Sequence, residues 1–450
     1  MIGREKLIAR LRQVMAHSTA DETEVVFVGN DSGLTRYANS YIHQNVYESN
    51  NRVLFRTVLG KRVGVASCNS LVLADLRKTL ADSIEIARQQ RENPIFPGLP
   101  KPAKYKALET FDEATARFSP NDRAKAVKKV IAESNRKKFT MAGSLSTECG
   151  EIAVINSHGV EAYQPISSAS INMIAMSDTS SGYAAGTSRR VSDIDFTTLA
   201  RIAVGKCDQS QNPRQTEPGE YEVILEPPAV GEMLEWINYV GLGAKPFVQK
   251  TSFLSGRIGR KITSDKVTLY DNALDTRSAA FPFDFEGVPK KKVPFIEKGV
   301  AKGVVYDRAW AKKGGKKSTG HAITADDAAE GAFALNIFMA PGKVKREKMI
   351  SAVKRGILVT RFHYINGLID TRNMVLTGMT RDGTFLIENG EIVGGLKNLR
   401  FTDSFMRAFK STVAMSKETE CIDSWWSGVG CMTVPAVHLG SFRFSGKTEF

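Results

Sequence analysis

Glu232 and Glu235 stand three residues apart in the stretch YEVILEPPAVGEMLEWINYVGLG, residues 221–243, near the middle of the 450-residue chain. On a helix that spacing puts two carboxylates on one flank, beside Tyr239, where they can serve as general bases or as oxygen ligands for a hard cation. The same spacing is common on helix edges that face solvent or an interface. The six histidines, His17, His43, His158, His321, His363 and His438, form no helical pair: none is followed by glutamate, and no two lie within five positions of each other. The five cysteines, Cys68, Cys149, Cys207, Cys421 and Cys431, contain no CxxC pair, so a zinc ribbon is excluded. A cysteine nucleophile needs a base within hydrogen-bond reach, and for Cys421 the nearest histidine in sequence is His438. From spacing alone the candidates for such chemistry are therefore Glu232 and Glu235.

The elements that must position these groups are legible. Val223, Ile224 and Leu225 read as a strand that stops at Pro227-Pro228. Val230, Met233, Leu234, Ile237 and Val240 then recur at intervals of three and four, which predicts a helix over 229–240, opened by proline and closed by Gly241 and Gly243. Upstream, helices are expected over 1–17, 71–91, from Ser119-Pro120 onward, and over 193–206, with strands between. Asn30-Asp31-Ser32-Gly33 reads as a turn, and the small polar stretch 177–186 as an exposed loop. Downstream the chain is mostly strands, with one short helix at 345–354 and a hairpin at Asn389-Gly390.

We expect an α+β fold with two domains. Residues 1–210 form a mixed α/β N-terminal domain with a proline-rich linker at 94–105, and residues 220–450 form a β-rich, sandwich- or barrel-like C-terminal domain that carries the 229–240 helix. Few, scattered cysteines fit a reducing compartment. The N-terminus lacks the apolar core of a signal peptide, and no run approaches the roughly 20 apolar residues of a membrane span. The reading is cytoplasmic, with no membrane partner. The formal charge of +14 gathers in lysine runs at 290–292, 312–317 and 343–348. These read as solvated loops, because no helix-turn-helix, base-stacking strand motif or zinc finger accompanies them; nucleic acid is not expected as a partner.

An ordered series of short motifs spans the chain: RYANSYIHQN at 36–45, GKRVG at 60–64, NSHG at 156–159, EPGEYEVILEP at 217–227 and FPFDFEGVP at 281–289. It continues with IEKGVAKGVVYD at 296–307, STGHA at 318–322, MAPGK at 339–343, VKRGILV at 353–359 and FLIENGEI at 385–392. Together they resemble the TldD/PmbA (TldD/TldE) metallopeptidase family, historically labelled modulators of DNA gyrase. The resemblance implies a dimeric assembly that processes unfolded peptides, in which a zinc-bearing TldD-type subunit pairs with a TldE/PmbA-type subunit lacking metal. It also implies that metal-bearing members carry H-E-x-x-x-H on the helix matching 229–240, with a cysteine near the C-terminus as third ligand.

Here the matching positions hold Glu235, Trp236 and Val240, with Cys421 at the cysteine's place. The chain is thus most like the TldE/PmbA type. We expect no zinc in it, zinc in a TldD-type partner, and either a hetero- or a homodimer. Asp284, Glu286, Ser318, Thr319 and His321 are candidates for a substrate groove, and Asp284 and Glu286 also suit loop anchoring by accepting backbone N–H bonds. Two alternatives stand beside this reading: an active peptidase with a site rebuilt from Glu232, Glu235, Cys421 and His438, and a basic nucleic-acid-binding or gyrase-modulating protein. The WWSG stretch at 425–428 reads as an insertion relative to the family pattern.

Overall fold

The computed structural model describes residues 1–424 and 430–448, so the WWSG stretch at 425–428 lies outside the described residues. The N-terminal half runs α1 (Arg4–Met15), β1 (Glu22–Ala38), β2 (Tyr41–Leu59), β3 (Arg62–Cys68), α2 (Leu73–Gln89), α3 (Glu113–Ala116), α4 (Pro120–Asn135), β4 (Thr140–Asn156), β5 (Glu161–Met176), β6 (Ser181–Ser188) and α5 (Phe196–Gln209). Its strands make one antiparallel sheet in the order β3-β2-β1-β4-β5-β6. Successive strand residues face opposite sides. In β1, Val25 and Phe27 therefore pack under α1 and α2 with Leu7, Leu11, Leu76 and Leu80. Val26 points the other way, with Ile152 and Val154, onto Phe281, Phe283 and Phe285 of the C-terminal half. Burial on both faces explains why the strand reads as the unbroken apolar run VVFV.

Two local expectations fail here. Asn30-Asp31-Ser32-Gly33 is no turn: all four residues lie inside β1, paired with β2 on one side and β4 on the other. The reversal comes at Asn39-Ser40, both in the left-handed region at φ 50° and 60°, as a two-residue hairpin requires. The expected loop at 177–186 is largely β6. Its residues are small because α5 lies directly on it: a Cβ on Gly182 would stand 2.2 Å from the Ala203 carbonyl oxygen.

The C-terminal half runs β7 (Gly219–Leu225), α6 (Pro227–Ile237), a π-helical turn (Asn238–Leu242), α7 (Ala244–Val248), β8 (Leu269–Asp271), β9 (Val293–Glu297), β10 (Val300–Ala301), α8 (Arg308–Lys313) and β11 (Asn336–Met339). It ends with α9 (Arg346–Ser351), β12 (Arg355–Asp370), β13 (Val375–Glu388), β14 (Glu391–Gly395), β15 (Leu399–Ser404), α10 (Phe405–Lys410), β16 (Thr412–Asp423) and β17 (Cys431–Lys447). These strands form one sheet whose pairing closes on itself: β17-β15-β13-β12-β7 returns to β17 through a β17–β7 ladder. The result is a barrel, with β16 and the β11-β8-β9-β10 arm extending from it. Phe362, Phe401 and Phe442 stack in its core at centroid distances of 4.5, 5.3 and 5.9 Å. The expected hairpin at Asn389-Gly390 joins β13 to β14, with φ of 50° and 83° at the two turn residues. The architecture is α+β, as the sequence predicts.

Candidate functional site

Helix α6 enters from β7 through Pro227 and Pro228 at its first positions, where proline costs no hydrogen bond. It is buried on nearly every side, packed against β12, β16 and β17. Gly231 permits this: a Cβ there would meet Ile422 of β16 at 3.0–3.2 Å. A solvent-facing edge carrying Glu232 and Glu235 is therefore not what forms. Glu235 is 1% exposed, and its Oε1 accepts a hydrogen bond from the Ser424 hydroxyl at the end of β16. Glu232 accepts from the Phe362 backbone N–H at 2.6 Å, with the Arg361 guanidinium 3.9 Å away. Burial pushes its carboxyl up to about 8, against the pull of Arg361 and the Phe362 N–H. It faces a cavity of about 390 Å³ shared with Trp236, His363 and Tyr364. The two glutamates thus point to different surroundings.

A second cleft lies between the two halves of the chain. It has a volume of about 520 Å³. From the N-terminal sheet it is lined by Glu148 and Cys149 of β4, Ser167 and Ser168 of β5 and the 187–189 segment. From the C-terminal half come the 276–280 loop, Cys421 and Asp423 of β16, and Cys431 of β17. Burial raises both carboxyls above their ordinary range, and Asp423 raises Glu148 further. Asp423 also accepts from Ser170 and Thr187 of the opposite sheet, which pulls against its burial. The Cys421 thiol hydrogen-bonds that of Cys431, and Cys431 contacts the Ser278 hydroxyl at 3.1 Å. Sequence reasoning missed Glu148 and Asp423. Alternation alone puts Asp423 on the face of Cys421, two residues earlier; Glu148 meets them only through the packing of two separate sheets.

His438 does not reach Cys421. It pairs across the ladder with Ala414, whereas Cys421 pairs with Thr433. That separates them by five residues along β17, roughly 16 Å at a strand's rise. His438 instead bonds Glu222 at 2.7 Å. His321 is buried, with its Nε2 on Asp271 at 3.0 Å and its Nδ1 beside Thr319. Ser318 and Thr319 bond the Tyr306 backbone. Asp284 accepts three backbone N–H bonds, from Glu286, Val288 and Ala322, at 2.8–3.0 Å. Glu286 receives Arg56 of β2 at 3.0 Å, and Glu24 of β1 holds the same guanidinium at 2.7 Å. These five candidates form one loop-bracing cluster outside the 520 Å³ cleft.

The lysine runs are partly built in rather than solvated. Lys290 is buried over the Phe281 ring, Lys292 and Lys313 sit on Tyr270 and Trp310, and Lys312 donates to the Phe96 carbonyl. Among the described residues no group of three His, Cys, Asp or Glu side chains is placed to hold a metal, and no helix is long and apolar enough to cross a membrane.

Residues 218–446 match the model of the PmbA/TldA metallopeptidase C-terminal domain, and residues 100–206 match that of the central domain. The chain belongs to the PmbA/TldD metallopeptidase family. It is 24% identical over 429 residues to the metalloprotease PmbA of Escherichia coli O157:H7, covering 90% of each chain. To a metalloprotease TldD homolog of Haemophilus influenzae it is 21% identical over 426 residues, covering 90% of this chain and 88% of the other. Three archaeal curated relatives are matched over only 62%, 42% and 50% of their length. In fold, the crystal structure of TldE from Thermococcus kodakarensis superposes with a TM-score of 0.88 at 22% identity, over 97% of this chain and all of that one.

Proposed function

We propose that this chain is the TldE/PmbA-like, metal-free subunit of a cytoplasmic TldD/TldE-type metalloprotease. It pairs with a metal-bearing TldD-type subunit, or with a second copy of itself, and helps to enclose unfolded peptide. The observation that carries this reading is the donor set around α6. The helix on which metal-bearing members are expected to hold zinc offers Glu235, Trp236 and Val240; Glu235 is tied to Ser424, and the Cys421 thiol to Cys431. A zincin centre needs two imidazoles and an open position for water. These residues do not fit it, so no catalytic step is assigned to a metal in this chain.

The cleft between the halves suits the peptide part of the reading. About 520 Å³ falls within the range of ligand cavities, and burial raises the Glu148 and Asp423 carboxyls in its wall. The test is cleavage of an unstructured peptide by the chain alone, by a TldD-type partner alone, and by the two purified together. Co-purification, with cleavage only when the partner is present, is the expected result. Cleavage by the isolated chain that disappears in Glu235→Ala or Cys421→Ala would replace this reading with that of a rebuilt peptidase.

A further inference from the structure

The cleft wall holds two thiols that peptide enclosure does not use. Cys421 and Cys431 sit diagonally on the β16–β17 ladder, in which Cys421 pairs with Thr433 and Asp423 pairs with Cys431. Residues two apart on a strand share a face, so both sulfurs turn to the same side, and both line the cavity. Both are free thiols. Hydrogen bonds converge on one of them: Cys431 meets the Cys421 thiol, the Ser278 hydroxyl at 3.1 Å and the Ala279 backbone N–H. The bond from Cys421, with those from Ser278 and Ala279, pulls the Cys431 thiol below its ordinary range against the push of burial, while the bond between the sulfurs holds the Cys421 thiol up. Cys149 lines the same cavity without these partners, and burial and Asp31 push its thiol up.

We propose that Cys421 and Cys431 form a peroxide-reactive dithiol, a reversible modification site in the wall of the interdomain cleft. The Cys431 thiolate attacks one oxygen of hydrogen peroxide. The O–O bond breaks, an S–O bond forms, and the departing hydroxide leaves as water with the proton given up by the thiol. The Cys421 sulfur then attacks the Cys431 sulfenic acid; the S–O bond breaks, the S–S bond forms, and a second water carries away the Cys421 proton. Two thiols and one peroxide yield one disulfide and two waters, with two electrons passing from sulfur to oxygen. The oxidant is small enough for the cleft. Bringing hydrogen-bonded sulfurs to the roughly 2.05 Å of a disulfide takes only a local shift across the ladder, and a dithiol reductant restores the pair.

The experiment treats the reduced full-length protein with graded hydrogen peroxide, alkylates the remaining thiols, and reads each cysteine by peptide mass spectrometry. The expected result is a Cys421–Cys431 cross-linked species lighter by two hydrogens. It is reversed by dithiothreitol and forms at doses that leave Cys68, Cys149 and Cys207 alkylatable. In Cys421→Ser the reaction stops at a Cys431 sulfenic acid that dimedone traps, and in Cys431→Ser oxidation of Cys421 slows by about tenfold or more. The proposal is overturned if Cys421 and Cys431 both stay alkylatable at doses that oxidise Cys68. It is equally overturned if dimedone labels Cys431 no more than Cys149 in Cys421→Ser. Should a serine variant fail to fold, the cross-link in the unmutated protein decides alone.

Discussion

Glu226 sits at the point where β7 turns into α6, and two cations close on it. Lys206 of α5 reaches its Oε2 at 2.5 Å, Arg346 of α9 binds its Oε1, and Arg346 also holds Glu420 of β16 at 3.3 Å. Burial pushes the Glu226 carboxyl up, but the attraction of Lys206 and Arg346 outweighs it and brings the group down to about 2. The ordinary carboxyl value of 4.5 applies to the unfolded chain. The stability that Glu226 contributes is therefore fully present above pH 4.5 and is lost as pH falls through about 2. Glu226→Gln removes the buried carboxylate that the half-buried Lys206 and Arg346 share and is expected to cost about 3 kcal/mol at neutral pH. It should also flatten the acid loss of stability between those two values. Urea unfolding of both proteins at pH 7 and across the acid range measures this, and an unchanged acid profile would contradict it. Glu232 shows the opposite balance, because desolvation dominates over a single guanidinium at 3.9 Å. Sequence spacing alone could not separate these two glutamates, since it says nothing about which cations the fold delivers.

At the scale of elements, the sites depend on how helices cover sheet edges and faces. The edge strand β6 is closed by α5, and Gly182 is the close-approach point, with the Ala203 carbonyl and the Cys207 N–H within 2.2–2.4 Å of where a Cβ would stand. Both neighbours are backbone and cannot rotate away. Gly182→Ala should push α5 outward and destabilise the protein by about 2–3 kcal/mol. Because Lys206 rides on α5, the variant should also weaken the Glu226 contact. Thermal unfolding and the acid profile together test this; an Ala variant as stable as the parent would mean that α5 sits further from the edge. The elements that read correctly from sequence are those with strong local signals: the proline-opened helix α6, the helix expected over 71–91, which is α2, and the Asn-Gly hairpin between β13 and β14. The misread ones, Asn30–Gly33 inside β1 and the small residues of β6, carry turn-like composition for tertiary reasons. One stretch is held by ladders on both sides, and the other is kept small by an overlying helix.

At the scale of the whole molecule, the two halves are joined by side chains drawn from across the sequence. Arg56 links Glu24 to Glu286, Ser181 donates to Asp382, and Arg308 and Lys312 reach the Gly98 and Phe96 carbonyls. That bracing explains the fate of Asp284, Glu286, Ser318, Thr319 and His321. In the structure their side chains hold loops at the junction, apart from the lining of the 520 Å³ cleft. The cleft beside them is walled by Glu148, Asp423, Cys421 and Cys431, which only the docking of two sheets assembles. The family is legible in the ordered motifs, and so is the absence of a histidine pair from the central helix. The cleft is not, because its residues come from β4, β16 and β17 without a shared local pattern.

We propose that this chain is the subunit that does not hold the metal. This is tested most directly by the zinc content of the purified, full-length protein after exposure to excess zinc and gel filtration. The account predicts far less than one zinc per chain, with stoichiometric zinc appearing only in the complex with a TldD-type partner. One tightly held zinc per isolated chain, lost in Glu235→Ala or Cys421→Ala, would contradict it.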